Sequence, residues 1–310
     1  MKLKVGVVIA ICLSFIPSLS FADTDTATAS LNIQLLKPLV DRAIPFNLLP
    51  AIDAAKSDRP KPYKDRCHTQ QNLEKSTNAC DYGDIQSKTT IILFGDSHAL
   101  SWFPAIERLA LAKHWHLESL TMSSCWPADI PAWNSTTNEL MDNCPLWRAD
   151  TLNDIIAFKP LMVFVAGTRG FATIDKNLKV ATGDSRTAIW EAGMARTFAK
   201  LKKATQKIVY LSDTPISQYD VPLCLQQHRT SIENCSTPFA KAVSTSWLQE
   251  EKRVADIAGV MWIDPTPWIC STDPCSPLSG RYQIFVDKGH LTSSFAWTLE
   301  KPLWKVMTTS

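Results

Sequence analysis

Thr89–Ala110 reads TTIILFGDSHALSWFPAIERLA, and this stretch decides the fold. Thr90–Phe94 is apolar or β-branched at every position, the pattern of a short strand covered on both faces. Gly95-Asp96-Ser97-His98 follows without a spacer. From Ser101 to Lys113 apolar residues recur at helical spacing. A buried strand, a tight glycine turn and a helix form the first half of a βαβ unit.

Outward from this unit the alternation continues. Strands are predicted at His116–Met122, Leu161–Ala166, Lys207–Ser212 and Val260–Asp264. Helices are predicted at Ala188–Thr205, Pro238–Ala258 and from Thr292 onward, with a cysteine-bounded loop and a short helix after Met122. Alternating strands and helices imply a parallel sheet with helices on both faces, a three-layer α/β/α sandwich. Active sites of such sheets lie at the carboxyl ends of the strands, which is where GDSH stands. Residues 31–58 carry Leu and Ile at roughly helical intervals broken by Pro38, Pro45 and Pro50, and read as short helices ahead of the main domain. DRPKPYKDRC (58–67) reads as a loop.

The N-terminus, MKLKVGVVIAICLSFIPSLSFA, has two lysines, an apolar run and a Ser-Phe-Ala ending, the pattern of a signal peptide cleaved after Ala22. Cys12 follows Ile11 where a lipoprotein acceptor follows a small residue. DTDTATAS (23–30) is a polar leader. The expected division is therefore 1–22 signal peptide, 23–66 leader and helical extension, and 67–310 main domain. Cleavage leaves 30 basic and 30 acidic residues, a balance that argues against a nucleic-acid binder. It also removes one of nine cysteines. The remaining eight form close sequence neighbours, Cys67 with Cys80, Cys125 with Cys144, Cys224 with Cys235, and Cys270 with Cys275. An even count in an exported chain suits disulfides in the periplasm or outside the cell. No Cys-x-x-Cys interval occurs, so no zinc cluster is indicated.

Serine is a weak nucleophile until a base takes its proton and a third group orients that base. The C-terminal IFVDKGHLTSSF (284–295) offers both, with Asp287 three residues before His290. A carboxylate at that interval reaches the imidazole Nδ1 while Nε2 faces Ser97. Taken singly, a Gly-Asp-Ser and an Asp-x-x-His are common, and Asp96 could simply cap a helix. Together, one stands at the end of the first strand of the alternation and the other just before the last helix.

These residues resemble the SGNH/GDSL hydrolases, and most closely the SGNH domains fused to or associated with membrane acyltransferases of the acyltransferase-3 family, which O-acetylate bacterial surface glycans. The similarity runs from about Cys67 to Leu303 through LFGDSHALSWFPAIE, SSCWPADIPAW, CPLWRADTL, LSDTPISQYDVPLCL, DPTPWICSTDPC and DKGHLT. It implies a flavodoxin-like α/β/α fold with Ser97 as nucleophile, His290 as base and Asp287 as its orienter. It requires neither metal nor cofactor. The family's second block, a glycine that gives an oxyanion N–H, is replaced here by TMSSCWP, so Ser123 or Ser124 would supply that donor beside the Ser97 N–H. The third block, Gly-x-Asn-Asp, stands as AGTRG, with Gly167 aligned and Arg169 in the asparagine's place. Arg169 is then either an oxyanion donor or a salt-bridge partner that shapes the cleft.

Asp96 and His98 order the strand-to-helix turn and, with Trp102 and Trp126, are the candidates for substrate contact. Of eleven tryptophans, Trp102, Trp126, Trp133, Trp268 and Trp297 lie near the motifs. Packing is the reading for most of them, with one or two placed at the cleft as sugar platforms. The expected activity is acyl transfer, acetyl above all, to or from a surface-glycan hydroxyl. The chain shows no membrane-spanning segment after its leader, so a separate membrane acyltransferase or an acyl donor would supply the group. The alternatives are an esterase using water as acceptor and a disulfide-stapled glycan-binding domain without turnover.

Overall fold

The computed structural model describes residues 37–38, 43–71, 80–134, 137, 139–175 and 177–309. The expected signal peptide and polar leader, residues 1–30, lie outside them. The centre is a seven-stranded sheet of β1 (His68–Thr69), β2 (Asp81–Gly83), β3 (Thr90–Gly95), β4 (His116–Met122), β5 (Met162–Ala166), β6 (Ile208–Leu211) and β7 (Met261–Ile263). Its order is β7-β6-β5-β3-β4-β1, all parallel. β2 is the exception, running antiparallel along the outer edge of β4 through Asp81–Glu118 and Gly83–His116.

Ile91, Ile92, Leu93 and Phe94 are all inaccessible to solvent, as a strand covered on both faces requires. The period of two divides them. Ile91 and Leu93 join one core with α1 (Ser97–Ser101), α2 (Phe103–Lys113) and the C-terminal helix, whose Leu303 is buried there. Ile92 and Phe94 join a second core with α3 (Asn143–Phe158), α4 (Gly183–Leu201) and, C-terminal to α5 (Val221–Gln227), α6 (Thr245–Ala258). The result is the three-layer sandwich read from the alternation.

The elements differ from the sequence reading where local signals compete with periodicity. The helix after GDSH is two, meeting at Trp102, and it starts four residues early because Asp96 caps it. The helix expected at Pro238–Ala258 is a single turn, Phe239–Ala242, and then α6, divided where Ser244 accepts from the Trp247 N–H. The short helix of the cysteine loop is the 16-residue α3. Strands β1 and β2 are too short to carry an alternation.

Disulfides join Cys67–Cys80, Cys125–Cys144, Cys224–Cys235 and Cys270–Cys275. Ahead of β1, a 3-10 turn at Ile52–Ser57 and a helical turn at Lys61–Lys64 pack on the domain, with Leu48 and Ile52 in its first core. No helix among the described residues is long and apolar enough to cross a membrane.

Candidate active site

The sheet order reverses at β3, with β4 on one side and β5 on the other, and ligands of open α/β sheets bind at such a reversal. Gly95 makes the turn there. Its φ is +148°, and a Cβ would stand 1.8 Å from the Ala166 carbonyl oxygen, so no other residue fits. Ser97 is the first residue of α1, and its N–H has no carbonyl one turn earlier to bond.

The loop before the final helices brings an imidazole to Ser97. His290 Nε2 lies 2.9 Å from Ser97 Oγ, and Nδ1 lies 2.9 Å from Asp287 Oδ2. Asp287 Oδ1 also accepts from the N–H groups of Gly289 and His290, at 3.0 and 2.9 Å. Burial opposes ionisation of Asp287, but these bonds and the neighbouring imidazole outweigh it and hold the carboxyl below its ordinary range. The arrangement can take a proton from Ser97 and keep the resulting imidazolium oriented.

A second Asp–imidazole pair lies beside the first. His98 Nδ1 is 2.7 Å from Asp213 Oδ1, and the His98 and His290 ring centroids are 4.7 Å apart. Asp213 also accepts from Thr168 Oγ1, the Arg169 N–H and the Thr214 N–H. Asp96, fully buried, accepts from the N–H groups of His98, Ala99 and Thr168. Two carboxylates thus fasten the ends of β3, β5 and β6 together. Burial works against a charged His98, but Asp213 prevails and lifts it to about 9. Asp96, mainly through its own burial, is raised.

Around Ser97 and His290 opens a cleft of about 530 Å³, lined also by Arg59, Tyr63, Gln70, Gln71, Ser123 and Ser124. Ser124 has a left-handed φ of +59° and accepts at Oγ from Gln71 Nε2. Ser123 Oγ meets His68 Nε2 at 2.9 Å. Burial, helped by the charges of His290 and Arg59, pushes His68 down to about 3, so it stays neutral. Arg59 Nη2 donates to Asp287 Oδ2 at 3.3 Å.

Several sequence candidates stand elsewhere. Arg169 is not beside Ser97. Its guanidinium is buried, stacked 3.5 Å over the Trp190 ring and paired with Glu250 of α6, so it is no oxyanion donor and takes the salt-bridge alternative instead. Gly167 is not among the residues that line the cleft, and a Cβ there would meet the Pro127 ring at 2.5 Å and the Asp96 carboxylate at 3.3 Å. Trp102 and Trp126 are 1% and 2% exposed, edge-on to Trp268 and Phe171, and have no face for a substrate. Asp96 is equally inaccessible, and His98 is spent on Asp213. Sequence reasoning missed Asp213 and Arg59. The acid two residues past β6, in LSDTP, was a usable signal, because it stands at the same sheet end as GDSH. Nothing in the proline-rich stretch marks Arg59.

The profile described as SGNH domain (fused to AT3 domains) matches residues 66–305. The chain belongs to this SGNH family. Its structure is similar to the periplasmic domain of the lipopolysaccharide acetyltransferase of Salmonella ser. Paratyphi A, with TM-score 0.56 and 14% identity over 93% of this chain and 98% of that one. Weaker likenesses are to the carbohydrate acetylesterase Est24 of Sinorhizobium meliloti, with TM-score 0.41 and 13% identity over 72% and 100% of the two chains. The acetylxylan esterase Axe2 of Geobacillus stearothermophilus gives TM-score 0.40 and 13% identity over 73% and 97%. No curated protein matches the sequence.

Proposed function

We propose that this SGNH domain is an exported serine enzyme that moves an acyl group, acetyl above all, on or off a hydroxyl of a bacterial surface glycan. The observation that carries the reading is the pair of 2.9 Å contacts from Ser97 Oγ through His290 to Asp287. His290 Nε2 takes the Ser97 proton as Oγ attacks the ester carbonyl. The oxyanion forms beside the backbone N–H groups of Ser97 and Ser124, a role preorganised by the helix start and the left-handed turn. His290 then gives its proton to the departing alcohol, leaving an acyl-serine. An acceptor hydroxyl, deprotonated by His290, attacks that ester and releases Ser97 with its proton restored. Asp287 stays ionised throughout and stabilises the imidazolium.

Family membership supports transfer, with a separate membrane acyltransferase or activated ester as the acyl source. The eight paired cysteines and the N-terminal sequence support a periplasmic or extracellular setting. Esterase chemistry is the second reading. It is favoured by the exposure of the dyad, since 26% of the His290 side chain and 30% of the Asp287 side chain meet solvent and water reaches the acyl-serine. Hydrolysis of p-nitrophenyl acetate by wild type and Ser97→Ala tests the triad, and equal rates would refute it. Adding oligosaccharide then partitions the acyl-enzyme, with acetylated sugar marking a transferase and undiminished acetate an esterase.

A further inference from the structure

The cleft at Ser97 does not end at Arg59 and Tyr63. Both residues also line a second, open groove of about 960 Å³ on their other side, bounded by Leu49, Arg281, Tyr282 and Trp297. Each of the two spaces alone is in the size range that holds a ligand of several rings, far larger than an acetyl ester requires. Anything seated in the groove while its ester meets Ser97 must therefore be a chain, continuous past Arg59.

The lining suits a sugar. Trp297 is half exposed, and Arg108 stacks on its ring at 3.4 Å while donating to its carbonyl, which fixes the indole. Tyr282 carries Arg281 over its ring at 5.4 Å. Its backbone is held by the Leu49 N–H to Arg281 carbonyl and Gln283 N–H to Leu49 carbonyl bonds, both 2.8 Å. Each arginine covers one face of its ring, and the part of the ring left exposed, with N–H donors beside it, matches a pyranose, which has apolar C–H faces and a rim of hydroxyls. The wall is also tied to the triad loop. Asp58, next to Arg59, accepts from the N–H groups of Ser293 and Ser294 at 2.8 and 2.9 Å, just after His290.

We propose that this groove is a glycan subsite, in which Trp297 and Tyr282 hold sugars one or more residues along the chain from the unit whose ester lies at Ser97. One side of its wall, Leu49, Arg59 and Tyr63, comes from residues ahead of the stretch that matches the family, and the other, Tyr282 and Trp297, from within it. The proposal rests on the acyl-transfer reading of Ser97.

The experiment uses the whole chain as Ser97→Ala, with acetylated mono- and tetrasaccharides of xylose, of N-acetylglucosamine and of a bacterial O-antigen as probes. At least one tetrasaccharide binds tenfold or more tighter than its monosaccharide. Trp297→Ala and Tyr282→Ala, each added to Ser97→Ala, weaken it by roughly tenfold, the scale of one aromatic contact. In the Ser97 background the same two substitutions leave p-nitrophenyl acetate turnover within about twofold, which also reports an intact fold. Tetrasaccharides that bind no tighter than monosaccharides, or that bind both variants like the parent, overturn the subsite. Wild-type p-nitrophenyl acetate turnover by Ser97→Ala would overturn the triad instead, whatever the binding shows.

Discussion

Two Asp–imidazole pairs stand ring to ring behind Ser97, and they differ in what surrounds them rather than in their chemistry. In Asp287–His290 the side chains are 30% and 26% exposed, and the free Nε2 points at a serine hydroxyl. In Asp213–His98 they are 9% and 12% exposed, and the carboxylate is saturated by donors from Thr168, Arg169 and Thr214. A base must gain and lose a proton in every turnover, so it needs access and a partner that changes. A clamp needs a proton that stays. Burial and hydrogen-bond saturation support the base role proposed for His290 and a clamp role for His98, which residue type alone does not separate.

The sharpest way to break this comparison is to remove the working pair's function. Ser97→Ala and His290→Ala are each expected to lower kcat on p-nitrophenyl acetate by on the order of 10⁴ or more, and Asp287→Asn by roughly 10⁴, with no larger loss when combined. Thermal unfolding should change little, because all three side chains sit partly in solvent. A His290→Ala enzyme that retained wild-type turnover would give the base's role to another group.

The buried pair should respond in the opposite sense. Asp213→Asn leaves His98 without its counter-ion and weakens the bonds from donors at the ends of β5 and β6. Breaking a buried pair in this way costs about 3–5 kcal/mol. Denaturant unfolding is expected to show that loss, while the folded variant keeps kcat within about tenfold of wild type. A stable but inactive Asp213→Asn would place Asp213 in the reaction itself.

The clamp also has a pH signature. His98 is lifted to about 9 from an ordinary 6.5. A raised imidazolium stabilises the fold fully below the unfolded value and stops doing so as pH rises through the folded one. The difference in Tm between wild type and His98→Gln should thus be largest below about pH 6.5 and shrink toward pH 9. A difference that stays constant over that window would mean His98 is held as a neutral ring.

This contrast also explains what could be read from the chain beforehand. β3 and the turn at Ser97 were legible because a run of buried apolar residues, a glycine and a capping Asp all point the same way. Asp287 and His290 were legible because they lie three residues apart in one loop. The clamp was not, since His98 and Asp213 are 115 residues apart and only the parallel order of β3, β5 and β6 brings them together. Arg169 was misplaced for a related reason. Its position at the strand end was read correctly, but Trp190 and Glu250, which turn the guanidinium away, come from helices whose packing no local pattern reveals. Trp102 and Trp126 sit beside active-site motifs in sequence, yet adjacent residues on a helix or buried turn face different ways.

The smallest expected effect belongs to Arg59, the outer neighbour of the working pair. It makes one contact to Asp287 Oδ2 at 3.3 Å, and its side chain is 35% exposed. Asp287 is already fixed by the His290 ring and by the two N–H bonds from Gly289 and His290, so the dyad keeps its geometry without the arginine. Exposed ion pairs of this kind contribute about 0.2–1 kcal/mol. Arg59→Ala is therefore expected to lower kcat on p-nitrophenyl acetate by about two- to fivefold, with Arg59→Lys between the two, since a point charge replaces part of the field but not the fork. Tm should stay near wild type. A loss approaching 10³ in kcat at unchanged KM would instead make the guanidinium a stabiliser of the transition state, reaching from the cleft wall to the reacting ester.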